Sequence, residues 1–184
     1  MKRSKFAVTM YIITTLTALF TGVSVYLYVS TEQSFWLSVA ITFGTTFYHF
    51  GMRLLVGSLV PNCFQGSGRW FRQHPWEQKL YGMLRVKHWK KLLPAYDPTL
   101  FSLQQHSMEQ IACHMCQAEM VHEIIVLCSF LPLLFALLFG EFWIFLITST
   151  LAAAFDLLFV IMQRFNRPRL FRILLAKERS SGND

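Results

Sequence analysis

Four apolar stretches, set apart by two short connections and one long polar one, frame the chain. Residues 6–29 carry no charge. At about 1.5 Å rise per residue, such a helix is long enough to cross a hydrocarbon core about 30 Å thick. Residues 35–60 form a second stretch, interrupted by His49 and Arg53. The third covers residues 121–139 and continues a helix that begins near Met108. The fourth, residues 142–162, holds one charge, Asp156. The pattern predicts an all-α integral membrane bundle of about four transmembrane helices, forming a single membrane domain over residues 1–184. The first stretch follows a basic start (Lys2, Arg3, Lys5), as a signal peptide does. It is longer than a signal-peptide core and lacks a small-x-small cleavage pattern, so it reads as a retained helix.

The connection between the second and third stretches, residues 61–120, is too long for a simple loop. Gly66, Ser67 and Gly68 mark a flexible start. Pro75 suits the first position of a helix, where its missing N–H costs nothing. Residues 76–93 then alternate as an amphipathic helix, with Trp76, Leu80, Met83 and Leu84 on one side and lysines and arginines elsewhere. That composition suits a membrane interface, and Pro94 ends it. Ser107 with Gln110 three residues later predicts a capping box for the helix that leads into the third stretch.

Charge fixes the orientation. Of 17 lysines and arginines, all but Arg53 lie in the N-terminal segment, the long connection or the tail, residues 163–184. The short connections around Glu32 and Glu141 have none. Cytoplasmic loops retain positive charge, so both termini and residues 61–120 are expected in the cytoplasm of a multi-pass cell-membrane protein. The chain is 54% hydrophobic with a net charge of +7, against about 45–50% apolar for a soluble domain. Topology accounts for the basic excess, and no nucleic-acid partner is expected. The expected partners are membrane lipids. Cys63, Cys113, Cys116 and Cys128 lie at the cytoplasmic side or within a span, where disulfides are not expected.

Three groups of residues offer chemistry. Glu119 and His122 share a helix face, with Glu123 one turn beyond Glu119. They read as a carboxylate orienting an imidazole general base, or as a polar belt at the interface. Cys113, His114 and Cys116 add ligand atoms nearby, but the second Glu-x-x-His of a di-iron bundle is missing, and no metal is expected. His49 and Arg53 face one way on the second stretch. Arg53 either snorkels to the interface or contacts an anion, and Asp156 is a candidate partner for either residue. The third group is Gln163-Arg164-Phe165-Asn166-Arg167-Pro168-Arg169-Leu170. As a positive flank it explains the arginines alone. The interleaved amides and guanidinium forks also suit phosphates, carboxylates and hydroxyls.

These residues resemble a known family, the glycosyl-diaponeurosporenoate acyltransferases of carotenoid pigment synthesis. The string from Gln163 to Leu170 is similar to the family's Gln-Arg-Tyr-Asn-Arg-Pro-Arg-Leu, with Phe165 in place of Tyr. Ala118-Glu119-Met120-Val121-His122 resembles its Ala-Glu-Leu-Ile-His, followed here by Leu131-Pro132. The stretch Val86-Lys87-His88-Trp89-Lys90-Lys91-Leu92-Leu93-Pro94 resembles a family Lys-x-Trp-Lys segment ahead of Leu-Pro, and Glu77 matches a carboxylate upstream.

The resemblance implies transfer of a fatty acyl group to a hydroxyl of a lipid-linked sugar, such as a glycosylated carotenoid. His122 would remove the hydroxyl proton, oriented by Glu119. Arg164, Asn166, Arg167 and Arg169, with Gln163, Glu77, Lys87, Trp89 and Lys90, would hold the donor or stabilise the oxyanion; His49 and Arg53 join the binding set. No tightly bound cofactor is expected; acyl-CoA or a similar acyl donor would be the co-substrate and the lipid-linked acceptor the partner. Other small membrane enzymes, of methyltransferase or reductase type, also grip cofactors at cytoplasmic helix ends, but no Gly-rich nucleotide fingerprint is present. A non-enzymatic scaffold would leave the Asn-Arg-Pro-Arg string and the Glu119–His122 pair unexplained.

Overall fold

The computed structural model of the chain describes residues 5–61, 68–94 and 98–181. Lys2, Arg3, Cys63, Gly66 and Ser67 lie outside the described residues. Among the described residues the fold is all helical. The helices are α1 (Lys5–Thr31), α2 (Ser34–Leu59), α3 (Pro75–Met83), α4 (Val86–Trp89), α5 (Met108–Cys128), α6 (Ala136–Phe139) and α7 (Phe142–Ser181), joined in part by 3-10 turns. Among the described residues, three stretches are long and apolar enough to cross a membrane: Lys5–Thr31, Met108–Phe139 and Phe142–Leu174. Of the four expected spans, the second falls short. At 26 residues α2 is only one residue shorter than α1, but His49, Arg53 and its hydroxyls lower its apolarity.

The chain divides into two compact units, Met1–Leu59 with Glu123–Asp156, and Val60–His122 with Leu157–Asp184. In the first unit α1 and α2 form an antiparallel pair, with Phe20 stacked on Phe43 at 5.0 Å. The hydroxyls of α1 are satisfied within their own helix: Thr14, Thr17, Thr21 and Ser24 each donate to the carbonyl four residues back. Such back-bonding lets a hydroxyl-rich helix stay apolar on its outside. Two contacts fix α2 against the start of α7. Ser38 Oγ donates to Glu141 Oε1 at 2.8 Å, and Arg53 pairs with Asp156. Each joins residues the same distance apart in the sequence, so the two helices run parallel and in register. Tyr48 OH adds a bond to the Cys128 carbonyl at 2.9 Å. Beyond Cys128 the helix tightens into the 3-10 turn Leu131–Phe135, because Pro132 has no N–H to continue the α-helical ladder.

The second unit buries Phe71, Tyr81, Val86, Ile111, Met115, Cys116, Phe159 and Val160. The Ser107–Gln110 capping box closes at the start of α5: Ser107 N–H donates to Gln110 Oε1 at 2.9 Å, and Gln110 N–H donates to Ser107 Oγ at 3.3 Å. Pro75 opens α3 as expected. The single amphipathic helix expected over residues 76–93 is broken. α3 stops at Met83, and Arg85 takes a left-handed conformation at φ 49° before α4 begins. Tyr81 and Val86 are both buried, at 6% and 0% exposure. In an unbroken helix they would point about 140° apart; the left-handed residue turns Val86 back inward. Gly82, a weak helix former, lies in the last turn of α3, just before that break. Trp76 and Met83 face outward beside Gln78 and Lys79, while Glu77 and Tyr81 are buried.

Candidate functional site

The buried polar groups of the second unit converge from α3, α5 and α7. Glu119 is fully buried on α5 and Arg167 is 2% exposed on α7. A charge in that setting is costly unless it is paired and hydrogen-bonded. Arg167 Nη1 donates to Glu119 Oε2, Arg167 Nη2 donates to the Phe71 carbonyl, and the guanidinium lies 5.0 Å over the Phe71 ring. Arg164, one turn earlier on the same face, places Nε 2.9 Å from Glu119 Oε1. Its Nη2 donates to the Trp70 carbonyl at 2.8 Å, and its Nη1 lies 3.8 Å from Glu77 Oε1.

Glu77, buried on α3, completes the network. Its Oε1 accepts the His74 N–H at 3.2 Å, and its Oε2 accepts the Tyr81 hydroxyl at 2.6 Å. Burial, then the hydrogen bond and charge of Glu77, push the Tyr81 phenol above its ordinary value, so it remains a donor at any physiological pH. Two carboxylates thus face two guanidinium groups, and the forks tie α5, α7 and the 3-10 turn Arg69–Phe71 together.

Outside this frame, Phe165 carries a cation on each of two contacts: Lys90 Nζ lies 4.8 Å and the Arg169 guanidinium 4.6 Å from its centroid. The Tyr81 ring meets it edge-on at 5.9 Å. Lys90 also donates to Asn166 Oδ1. Partial burial, then the nearby Arg169, Lys91 and Lys87 charges, lowers the Lys90 pKa. Trp89 Nε1 donates to the Leu84 carbonyl at 2.8 Å, and Lys87 is exposed. Half-buried His122 lies one turn beyond Glu119 on α5, its ring stacked on Phe159 at 4.6 Å and 12°.

The structure therefore brings Glu77, Glu119, Arg164 and Arg167 into one network, and Lys90, Asn166 and Arg169 around Phe165. Gln163 is buried on α7 beside them in sequence. His49 and Arg53 belong to the first unit. There Arg53 pairs with Asp156, donates to the Ala152 carbonyl at 3.2 Å and to its own helix at His49. Four participants carry no signal in the site motifs: Tyr81, the His74 N–H, and the carbonyls of Trp70 and Phe71. Tyr81 was legible as the i+4 neighbour of Glu77. The carbonyls of Trp70 and Phe71 carry no side-chain signal. Among the described residues no three His, Cys, Asp or Glu side chains are grouped to hold a metal ion.

The sequence model of the glycosyl-4,4'-diaponeurosporenoate acyltransferase family matches residues 67–176. The chain belongs to this family. The match takes in every residue of the network and of the Phe165 cluster, and leaves His49 and Arg53 outside. No curated protein and no solved structure matches the chain. Membership in this acyltransferase family agrees with the resemblance carried by the tail string and by residues 118–122.

Proposed function

We propose that the protein is a multi-pass cell-membrane acyltransferase that moves a fatty acyl group onto a hydroxyl of a lipid-linked sugar, such as a glycosylated carotenoid. The family match over residues 67–176 carries this reading. α2 is the remaining span, second in chain order. Its one charge, Arg53, is neutralised by Asp156, and a paired arginine is far less costly in a membrane than a lone one. The parallel run of α2 and α7 supports this, because second and fourth spans cross in the same direction. The distribution of lysine and arginine supports a cytoplasmic position for both termini and the second unit's polar groups.

His122 is the general base. Its imidazole takes the proton from the acceptor hydroxyl as that oxygen attacks the thioester carbonyl of an acyl-CoA-type donor. A C–O bond forms, the carbonyl oxygen becomes a transient oxyanion, and collapse breaks the C–S bond and releases the thiol, which takes up the proton. Glu119 acts through Arg164 and Arg167 as a positioning residue, fixing α5 one turn before His122. Lys90, Asn166 and Arg169 supply positive charge and hydrogen bonds toward the donor. No tightly held cofactor takes part.

The test is transfer of labelled acyl chain by purified protein. His122→Gln, nearly the same size but unable to accept a proton, should lower turnover about a hundredfold to ten-thousandfold with the fold intact. Normal turnover in that variant would remove His122 from the mechanism.

A further inference from the structure

The arginines of the tail divide into two sets. Arg164 and Arg167 turn into the frame, where Glu77, Glu119 and two backbone carbonyls occupy them. Arg169 and Arg172 do not. Together with Gln73 and Gln78 they ring a cavity of about 270 Å³ whose apolar lining is Tyr81, Phe165 and Pro168. Both arginines are exposed. Arg172 Nε donates to the Pro168 carbonyl at 3.3 Å, which holds the side chain against the cavity wall. Arg169 is held by its stacking on Phe165. Among the described residues neither guanidinium has a carboxylate partner.

Two anchored forks without counter-ions, flanked by two carboxamides that also donate N–H bonds, match the oxygens of a phosphate ester better than those of a neutral sugar. Lys90, 4.8 Å from the Phe165 ring centroid, adds to the positive potential, and partial burial with the crowding of Arg169, Lys91 and Lys87 lowers its proton affinity. A bound anion would relieve that crowding. Pro168 ties the cavity to the frame. It follows Arg167, so seating Arg167 on Glu119 fixes where the Arg169 and Arg172 forks stand.

We infer that this cavity is a phosphate-ester site, with Arg169 and Arg172 as its forks and Gln73 and Gln78 as its amide donors. The ester is either that of the acyl donor's carrier or that of an anionic phospholipid head group. The first source rests on the acyl-transfer reading and the second does not.

The experiment is equilibrium binding to purified protein in neutral detergent, with folding checked by thermal melting. Coenzyme A without an acyl chain probes the first source. Pantetheine, which lacks the phosphates, is its control. Retention of phosphatidylglycerol over phosphatidylcholine, read by native mass spectrometry, probes the second. Arg169→Gln and Arg172→Gln should each weaken one of these two ligands about tenfold, as loss of one charge-assisted contact does. Gln78→Glu, which keeps the size and adds a negative charge, should weaken the same ligand at least as much, and pantetheine should not respond. Loss of coenzyme A assigns the donor, and loss of lipid selectivity assigns the head group. Binding that responds to these variants in a protein without transfer activity would sustain the cavity and remove the acyl-transfer reading. If all three variants melt normally and bind both ligands as the parent does, the cavity is no phosphate site.

Discussion

The Glu119 carboxylate and the Arg167 guanidinium meet in a setting almost closed to solvent, 0% and 2% exposed. Removing one member of a buried pair leaves the other charge without compensation, at a cost of about 3–5 kcal/mol. Arg167→Leu and Glu119→Gln should each lower the melting temperature strongly. Because the two share one interaction, the double variant should be less damaged than the sum of the singles. Strict additivity in a double-mutant cycle would show that the two side chains do not act together.

A second pair joins Arg53 to Asp156 in the first unit. Asp156→Asn should be strongly destabilising, since it strands the arginine. Replacing both partners with apolar residues, Arg53→Met with Asp156→Leu, should restore most of the stability. Thermal melting in detergent separates this from a binding role for Arg53. A folded double variant with no transfer activity would show that the pair does more than close the bundle.

Glu141 marks the turn between α6 and α7 and accepts the Ser38 hydroxyl at 2.8 Å. A cysteine beside it, at Phe142, should be labelled by an impermeant thiol reagent from outside intact cells, while tags at both termini should report cytoplasm. Labelling from the cytoplasmic side only would overturn the four-span arrangement.

Tyr81 gives the fold a defined alkaline limit. Its folded-state pKa is raised above the ordinary value of 10.0, so the folded protein holds this proton where the unfolded chain releases it. The stability this contributes is complete below about pH 10 and is lost as pH rises through the folded value. Tyr81→Phe should therefore be less stable near neutrality, having lost the bond to Glu77, and should show a shallower decline above pH 10. An unchanged alkaline slope would show that the phenol is not coupled to folding.

Phe165 stands where the family string has tyrosine, and its ring face serves Lys90 and Arg169. Phe165→Tyr keeps that face and should retain transfer. Phe165→Leu should weaken donor binding several-fold, in line with about 0.5–1 kcal/mol per exposed cation–π contact. Equal donor affinity in the two variants would show that the ring face is not used.

The apolar runs made the long helices legible, and local chemistry made the Ser107–Gln110 box and the Pro75 start legible, because each depends on residues close in sequence. The break at Arg85 was not legible. It comes from burying Tyr81 and Val86 together, a tertiary demand that overrides the local amphipathic pattern. Glu119 and His122 were visible as neighbours on one helix face; the burial of Glu119 was not. The arginines that hold Glu119 lie far along the chain, and no spacing rule connects them. The tail string was conspicuous as a whole. Its division into inward-facing Arg164 and Arg167 and cavity-lining Arg169 follows from where α3 and α5 pack against α7, which only the fold supplies.

Acyl transfer to a lipid-linked sugar is the activity on which the proposed function stands or falls. Purified protein reconstituted in lipid vesicles, given radiolabelled acyl-CoA and a glycosylated carotenoid acid, tests it most directly. Label should appear in a product ester that alkali cleaves, with none formed by His122→Gln. Folded parent protein that leaves all the label in the donor, across a set of lipid-linked sugars, would contradict it.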